Sequence, residues 1–199
     1  MLSLGGSVGT YSLSSSDDAN QFATYLWNNF LGGSSSSRPF GDAVLDGIDF
    51  DIESGGSAHY DDLAQSLRNL GQVSLSAAPQ CIYPDASLGP GANTALSTGL
   101  FDYVWIQFYN NPSCEYSGGS VNGLVSSWNQ WTSGVAATSF FVGVPASTGA
   151  AGSGYIPPDE LTSQVIPAVN GSPKYGGIMI WNRYADGQTG YSTSVKGSV

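Results

Sequence analysis

Six short apolar runs, each followed by a cluster of small or polar residues and then by a longer amphipathic stretch, govern what this chain can fold into. The runs cover residues 1–4, 43–52, 73–77, 103–109, 140–144 and 177–181. Short runs of this kind read as strands, and strands that alternate with helices pair in parallel. The first intervening helix opens at Ser16, an N-cap followed by the acidic Asp17 and Asp18, and continues through Phe22, Tyr25, Leu26 and Phe30. Gly32-Gly33 ends it. Further helices are expected over 60–70, 121–131 and 158–169, with a short last one near Ser192; Pro157-Pro158 suits a helical first turn. The clusters Gly5-Gly6-Ser7, Asp51 to Gly56, Pro79-Gln80, Asn110-Asn111, Pro145-Ala146 and Asn182-Arg183 all follow strands directly. That is where a (β/α)8 barrel carries its active site. Closure takes eight strands and six are legible. The pattern alone leaves an open doubly wound sheet and a barrel whose first two βα units lie outside these residues as alternatives.

With 199 residues there is room for a single domain with a sizeable core. Only 10% of them are charged, against about 25% in an ordinary soluble domain. Glycine, hydroxyl, amide and aromatic residues fill the difference, a surface chemistry suited to neutral sugars. The formal charge of −10 argues against nucleic acid, whose phosphates dominate affinity, and against anionic membranes. No run approaches the roughly 20 apolar residues of a membrane span, and no signal peptide opens the sequence. Cys81 and Cys114 allow one internal pairing or two unrelated buried thiols. The low charge and the loop-like settings Pro79-Gln80-Cys81 and Pro112-Ser113-Cys114 favour a disulfide, made in an oxidising compartment. Asn170-Gly171-Ser172 is an acceptor sequon for glycosylation.

The chemistry is concentrated in Asp46-Gly47-Ile48-Asp49-Phe50-Asp51-Ile52-Glu53. Side chains alternate along a strand, so Asp49, Asp51 and Glu53 share one face and Ile48, Phe50 and Ile52 the other. The apolar face suits packing against helices; the acidic face would line a barrel interior with Glu53 at its mouth. Carboxyls stacked about 6–7 Å apart in a low-dielectric setting cannot all ionise cheaply, so some of their pKa values should rise. Glycoside hydrolysis needs a carboxylic acid that is still protonated at the working pH. A metal site would be expected to recruit histidines or oxygen-rich loops, and His59, read as a surface helix residue, is the only histidine. Asp46 has the opposite strand parity and reads as structural.

The D-x-x-D-x-D-x-E pattern of Asp46, Asp49, Asp51 and Glu53 resembles the signature of glycoside hydrolase family 18. With Ala77 to Cys81, Trp105 to Asn111 and Ile180-Trp181, the chain is similar throughout to the plant class III chitinases. The resemblance implies one catalytic domain over 1–199, the last three quarters of a (β/α)8 barrel, with a secretory signal and two βα units before Met1. It departs from the family in a shorter connection between Leu70 and Val73 and a few extra residues around Pro90-Gly91-Ala92. It implies an endo-acting, retaining chitinase of plant defence that needs no cofactor or metal, possesses lysozyme activity in some members, and acts as a secreted monomer, extracellular or vacuolar, on chitin or chitooligosaccharides. Glu53 would be the acid and then the base. The substrate's own acetamido oxygen would be the nucleophile, with Asp51 holding the acetamido N–H and Asp49 sharing a proton with Asp51. Tyr109 and Gln107 would contact the acetamido group, Trp181 would floor the reacting sugar, and Ala150 would line the substrate site. Trp27, Trp105, Trp128 and Trp131 are expected in the core. The alternative is a non-catalytic chitin-binding or storage protein of the same fold.

Overall fold

The computed structural model describes Met1–Val199. Two compact units divide the chain: Met1–Pro79, Pro84–Tyr103 and Val135–Ala137 form the first, and Gln80–Tyr83, Val104–Gly134 and Thr138–Val199 the second. In the first, β1 (Leu2–Gly6), β2 (Gly47–Ile52) and β3 (Ser74–Ala77) pair in parallel in chain order. Ile48, Phe50 and Ile52 are all buried. α1 (Ser16–Phe30) buries Ala19, Ala23, Leu26 and Phe30, and α2 (Tyr60–Leu70) buries Tyr60, Leu63, Ala64 and Leu67. Those spacings put each set on one helical stripe. Phe50 meets the edges of Tyr60 and Phe101 at 6.3 and 5.1 Å between ring centroids, which locks β2 to its helical cover.

The N-cap of α1 is Ser15, one residue before the expected Ser16, and its Oγ accepts from Asp18 N at 3.1 Å. At the other end Gly32 and Gly33 lack the left-handed φ of a glycine C-cap. They are small for a different reason: a Cβ on Gly32 would lie 2.9 Å from the Trp27 indole, and one on Gly33 2.6 Å from it. The terminal carbonyls turn instead to Arg38. Its Nη1 donates to Asn28 O (2.8 Å) and Gly33 O (3.1 Å), its Nη2 to Leu31 O (3.0 Å) and Ala43 O (2.9 Å), and its Nε to Gly41 O (3.2 Å). A guanidinium suits this place because it has five donors and a charge that matches the negative end of the helix.

The second unit carries most of β4 (Tyr103–Gln107), then β5 (Ser139–Pro145) and β6 (Tyr175–Trp181). β5 and β6 are parallel, with Val142 opposite Ile178 and Pro145 opposite Trp181. α3 (Asn122–Gly134) buries Trp128 against Phe140 and Tyr175, and Trp131 against Tyr83. A helical stretch runs through α4 (Pro158–Glu160), a π-turn (Leu161–Val165) and α5 (Ile166–Val169). Pro167 cannot donate to the carbonyl four residues back, and the turn preceding it is widened. α6 (Arg183–Thr189) and α7 (Tyr191–Val195) follow, separated by Gly190 at φ 68°.

Three expectations are corrected, and one element had no sequence signal. Residues 43–46 precede β2 as an exposed segment rather than extending it. Asn182-Arg183 is no open loop, since Asn182 Oδ1 caps α6 by accepting from Ala185 N at 3.0 Å. A 3-10 turn at Ala95–Ser97 had no recognisable signal. Trp128 and Trp131 are core, but Trp27 and Trp105 are half-buried, the former over its glycines and the latter 4.4 Å from Phe141 between centroids.

Candidate active site

Parallel register builds the acidic cluster of the first unit. Ser3 on β1 and Ser76 on β3 stand directly opposite Asp49 on β2. Ser3 Oγ donates to Asp49 Oδ2 at 2.7 Å, and Ser76 Oγ donates to Asp49 Oδ1 at 2.6 Å. One carboxyl is thus clamped from both sides by hydroxyls on the same rung. Two residues on, Asp51 is opposite Gly5, whose φ is +101°. A Cβ on Gly5 would overlap the Asp51 backbone carbonyl, so glycine is what lets β1 run this close.

Asp51 is only 9% exposed. Burial, above all, pushes its pKa from 3.8 up to about 7, and the negative charges of Glu53, Asp49 and Asp85 and a hydrogen bond with Glu53 add to the rise. Glu53 stands just past the end of β2 and is exposed. The sequence pattern anticipated a raised carboxyl on this face, and it is Asp51. Asp85 is a member that the sequence did not reveal. It is buried in the loop after β3, and its Oδ1 accepts from Ser87 N (2.8 Å) and Leu88 N (2.7 Å). Pro84-Asp85-Ala86-Ser87 reads as an ordinary Asx turn; only the fold brings its charge to bear on Asp51. Ser3 and Ser76 were equally silent, because a serine in a strand carries no signal until the register is known.

The second unit holds the remaining candidates. Gln107 ends β4 and Tyr109 follows it, each 4% exposed. Ala150 is half-buried in the loop after β5. That loop is fastened to the β4 end: Asn110 N donates to Ser153 O at 3.3 Å, and Gly152 N donates to Asn110 Oδ1 at 2.7 Å. Gly154, at φ +82°, packs so tightly on Tyr109 that a Cβ would sit 2.6 Å from the Tyr109 Cα. The loop that carries Ala150 is therefore tied to the chain directly after Tyr109. Trp181 ends β6, with 38% of its surface exposed. Cys81 and Cys114 are joined, with 5.8 Å between their Cα atoms.

His59 is the residue before α2, in a left-handed conformation at φ 65°, with Nδ1 2.9 Å from Asp62 Oδ2. No group of three or more His, Cys, Asp or Glu side chains is placed to hold a metal ion. Asp46 is exposed ahead of β2, and its carbonyl accepts from Ser74 N at 2.9 Å. No helix is long and apolar enough to cross a membrane.

The family description Glycosyl hydrolases family 18 matches residues 1–153. The chain is 64% identical over 200 residues to an acidic endochitinase of Phaseolus angularis; that alignment takes in 100% of this chain and 65% of the relative. It thus spans about two thirds of the length of the curated relatives it matches. Among solved structures, a chitinase from Ipomoea carnea matches with a TM-score of 0.92 at 50% identity, over 100% of this chain and 72% of that one. A xylanase and alpha-amylase inhibitor protein from Scadoxus multiflorus matches with a TM-score of 0.92 at 45% identity, over 100% and 74%.

Proposed function

Because the chain belongs to glycosyl hydrolases family 18, we propose that it is an endo-acting chitinase. It would cleave β-1,4 links between N-acetylglucosamine units with retention of configuration. One observation carries the reading: Asp51 is buried, hydrogen-bonded to Glu53, and raised to about 7. The Asp51–Glu53 pair therefore holds a proton at acidic and near-neutral pH. Cleavage of a glycosidic bond needs such a proton on the departing oxygen. Glu53, the exposed member, delivers it.

The nucleophile is the substrate's acetamido oxygen, which attacks the anomeric carbon and closes a cyclic oxazolinium ion as the leaving sugar departs. Asp51 accepts the acetamido N–H and balances the positive charge. Glu53, now a carboxylate, takes a proton from the water that reopens the ring on the same face. Asp49, held by Ser3 and Ser76, would share a proton with Asp51, the role that the resemblance implies. Resemblance supplies the remaining roles: Tyr109 and Gln107 at the acetamido group, Trp181 beneath the sugar, where an indole face suits the apolar side of a pyranose, and Ala150 along the substrate.

The matched stretch of 1–153 runs through both units, which supports treating 1–199 as one catalytic domain. The disulfide and the low charge support secretion, extracellular or vacuolar; the protein would act as a monomer on chitin or chitooligosaccharides, as the resemblance implies. Its retention of Asp49, Asp51 and Glu53 favours hydrolysis over the non-catalytic binding or storage alternative. Proton NMR of tetra-N-acetylchitotetraose cleavage tests the mechanism. The β-anomer should appear first and mutarotate later; initial α-anomer would mean direct displacement by water.

A further inference from the structure

We propose that Gln80 and Asn111 are positioning residues that fix which end of the Gln107 amide faces the substrate, and so set a preference for N-acetylated sugars. The proposal rests on the reading of Gln107 as an acetamido contact. The Asn111 side-chain nitrogen donates to Tyr109 O at 3.0 Å and to Gln80 Oε1 at 2.7 Å. A backbone carbonyl can only accept, so this end of Asn111 is its NH2 group. Gln80 must then turn its oxygen towards Asn111 and its nitrogen the other way. That nitrogen donates to Gln107 Oε1 at 3.2 Å. Each amide dictates the polarity of the next, and Gln107 is left with Nε2 directed away from Gln80.

The relay is anchored at both ends. Gln80 and Gln107 are bridged through their backbones, with Cys81 N donating to Gln107 O at 3.2 Å. Asn111 N donates to Oε2 of the buried Glu115 at 2.9 Å, and the same oxygen accepts from Ser153 Oγ at 2.9 Å. The Asn111 carbonyl accepts from Cys114 N and Glu115 N at 3.0 and 3.1 Å. The Cys81–Cys114 disulfide ties the residue after Gln80 to the residue before Glu115. A donor held this rigidly recognises an acceptor. The carbonyl of an N-acetyl group offers one in its plane; a deacetylated sugar offers an amine that is chiefly a donor at pH 8 and an ammonium with donors alone at pH 5.

Reversing the polarity tests this. In Gln80→Glu the carboxylate can only accept, so Gln107 should turn its NH2 group towards position 80 and its oxygen to the sugar. Asn111→Asp should do the same one step earlier, by making Gln80 turn its own nitrogen to position 111. The readout is the dissociation constant, by calorimetry, of tetra-N-acetylchitotetraose and of its fully deacetylated counterpart, at pH 8 and pH 5. Thermal midpoints report folding. The N-acetyl preference should fall about ten-fold in either variant at pH 8, the worth of one well-placed hydrogen bond. It should partly return in Gln80→Glu at pH 5, where a protonated carboxyl donates again. Folded variants that keep the wild-type preference, or that weaken for both sugars alike, would overturn the relay alone. A wild type with no preference for the acetylated sugar would overturn the acetamido reading of Gln107, and the relay with it.

Discussion

Replacing Asp51 by asparagine should stabilise the fold most at alkaline pH, while ending hydrolysis. The Asp51 carboxyl is raised from 3.8 to about 7 in the folded protein, so the folded state binds this proton more tightly than the unfolded chain does. Below about pH 4 the group is protonated in both states and has no linkage cost. Between about pH 4 and pH 7 the folded state holds the extra proton, and stability falls as pH rises. Above pH 7 the buried anion exerts its full cost. A rise of about three units at 1.36 kcal/mol each sets a ceiling of about 4 kcal/mol. Solvent reaches part of the group, so the retained effect is nearer 2 kcal/mol. Asparagine keeps the shape and cannot ionise. Urea unfolding of both proteins at pH 4, 6 and 8 should show the gap in favour of the variant widening by about 2 kcal/mol. A gap independent of pH would refute the assignment of a buried, proton-holding carboxyl to Asp51.

Arg38→Ala should destabilise by about 2 kcal/mol in urea unfolding, because five backbone acceptors around the end of α1 lose a charged donor. Arg38→Lys should recover less than half of this, since an ammonium group cannot span them. Replacing both Cys81 and Cys114 by serine opens a loop with a sequence separation of 33. The chain-entropy account gives a loss of about 3–4 kcal/mol, measured as a lower urea midpoint.

Periodicity made the parallel βα order legible, because each strand carries its own apolar run and polar terminus. Alternation alone placed Asp49 and Asp51 on one face of β2, with Glu53 just past its end, and loop chemistry pointed to the Cys81–Cys114 bond. What escaped depends on register or on distant packing. Ser3 and Ser76 matter only because both stand opposite Asp49. Asp85 matters because a loop returns to Asp51. The Gln80–Asn111 relay depends on side chains that meet 31 positions apart in sequence. α1 ends at Phe30 with Leu31 as its C-cap, just before Gly32-Gly33, and those glycines are small because of the side chains packed on them rather than because of backbone handedness. The helix at Arg183–Thr189 was hidden because its residues bury nothing, leaving no apolar stripe to detect.

Glu53→Gln tests the central claim most directly, since it removes the proton donor while keeping the side chain's size and hydrogen-bonding capacity. Hydrolysis of a fluorogenic chitooligosaccharide and calorimetric binding of tetra-N-acetylchitotetraose should be measured on the same preparations. Turnover should fall by at least about a thousand-fold, within the range attributed to general acid–base catalysis, with affinity within a factor of about two to three of wild type. Turnover that survives at more than a few per cent of wild type would contradict the assignment of Glu53 as the acid.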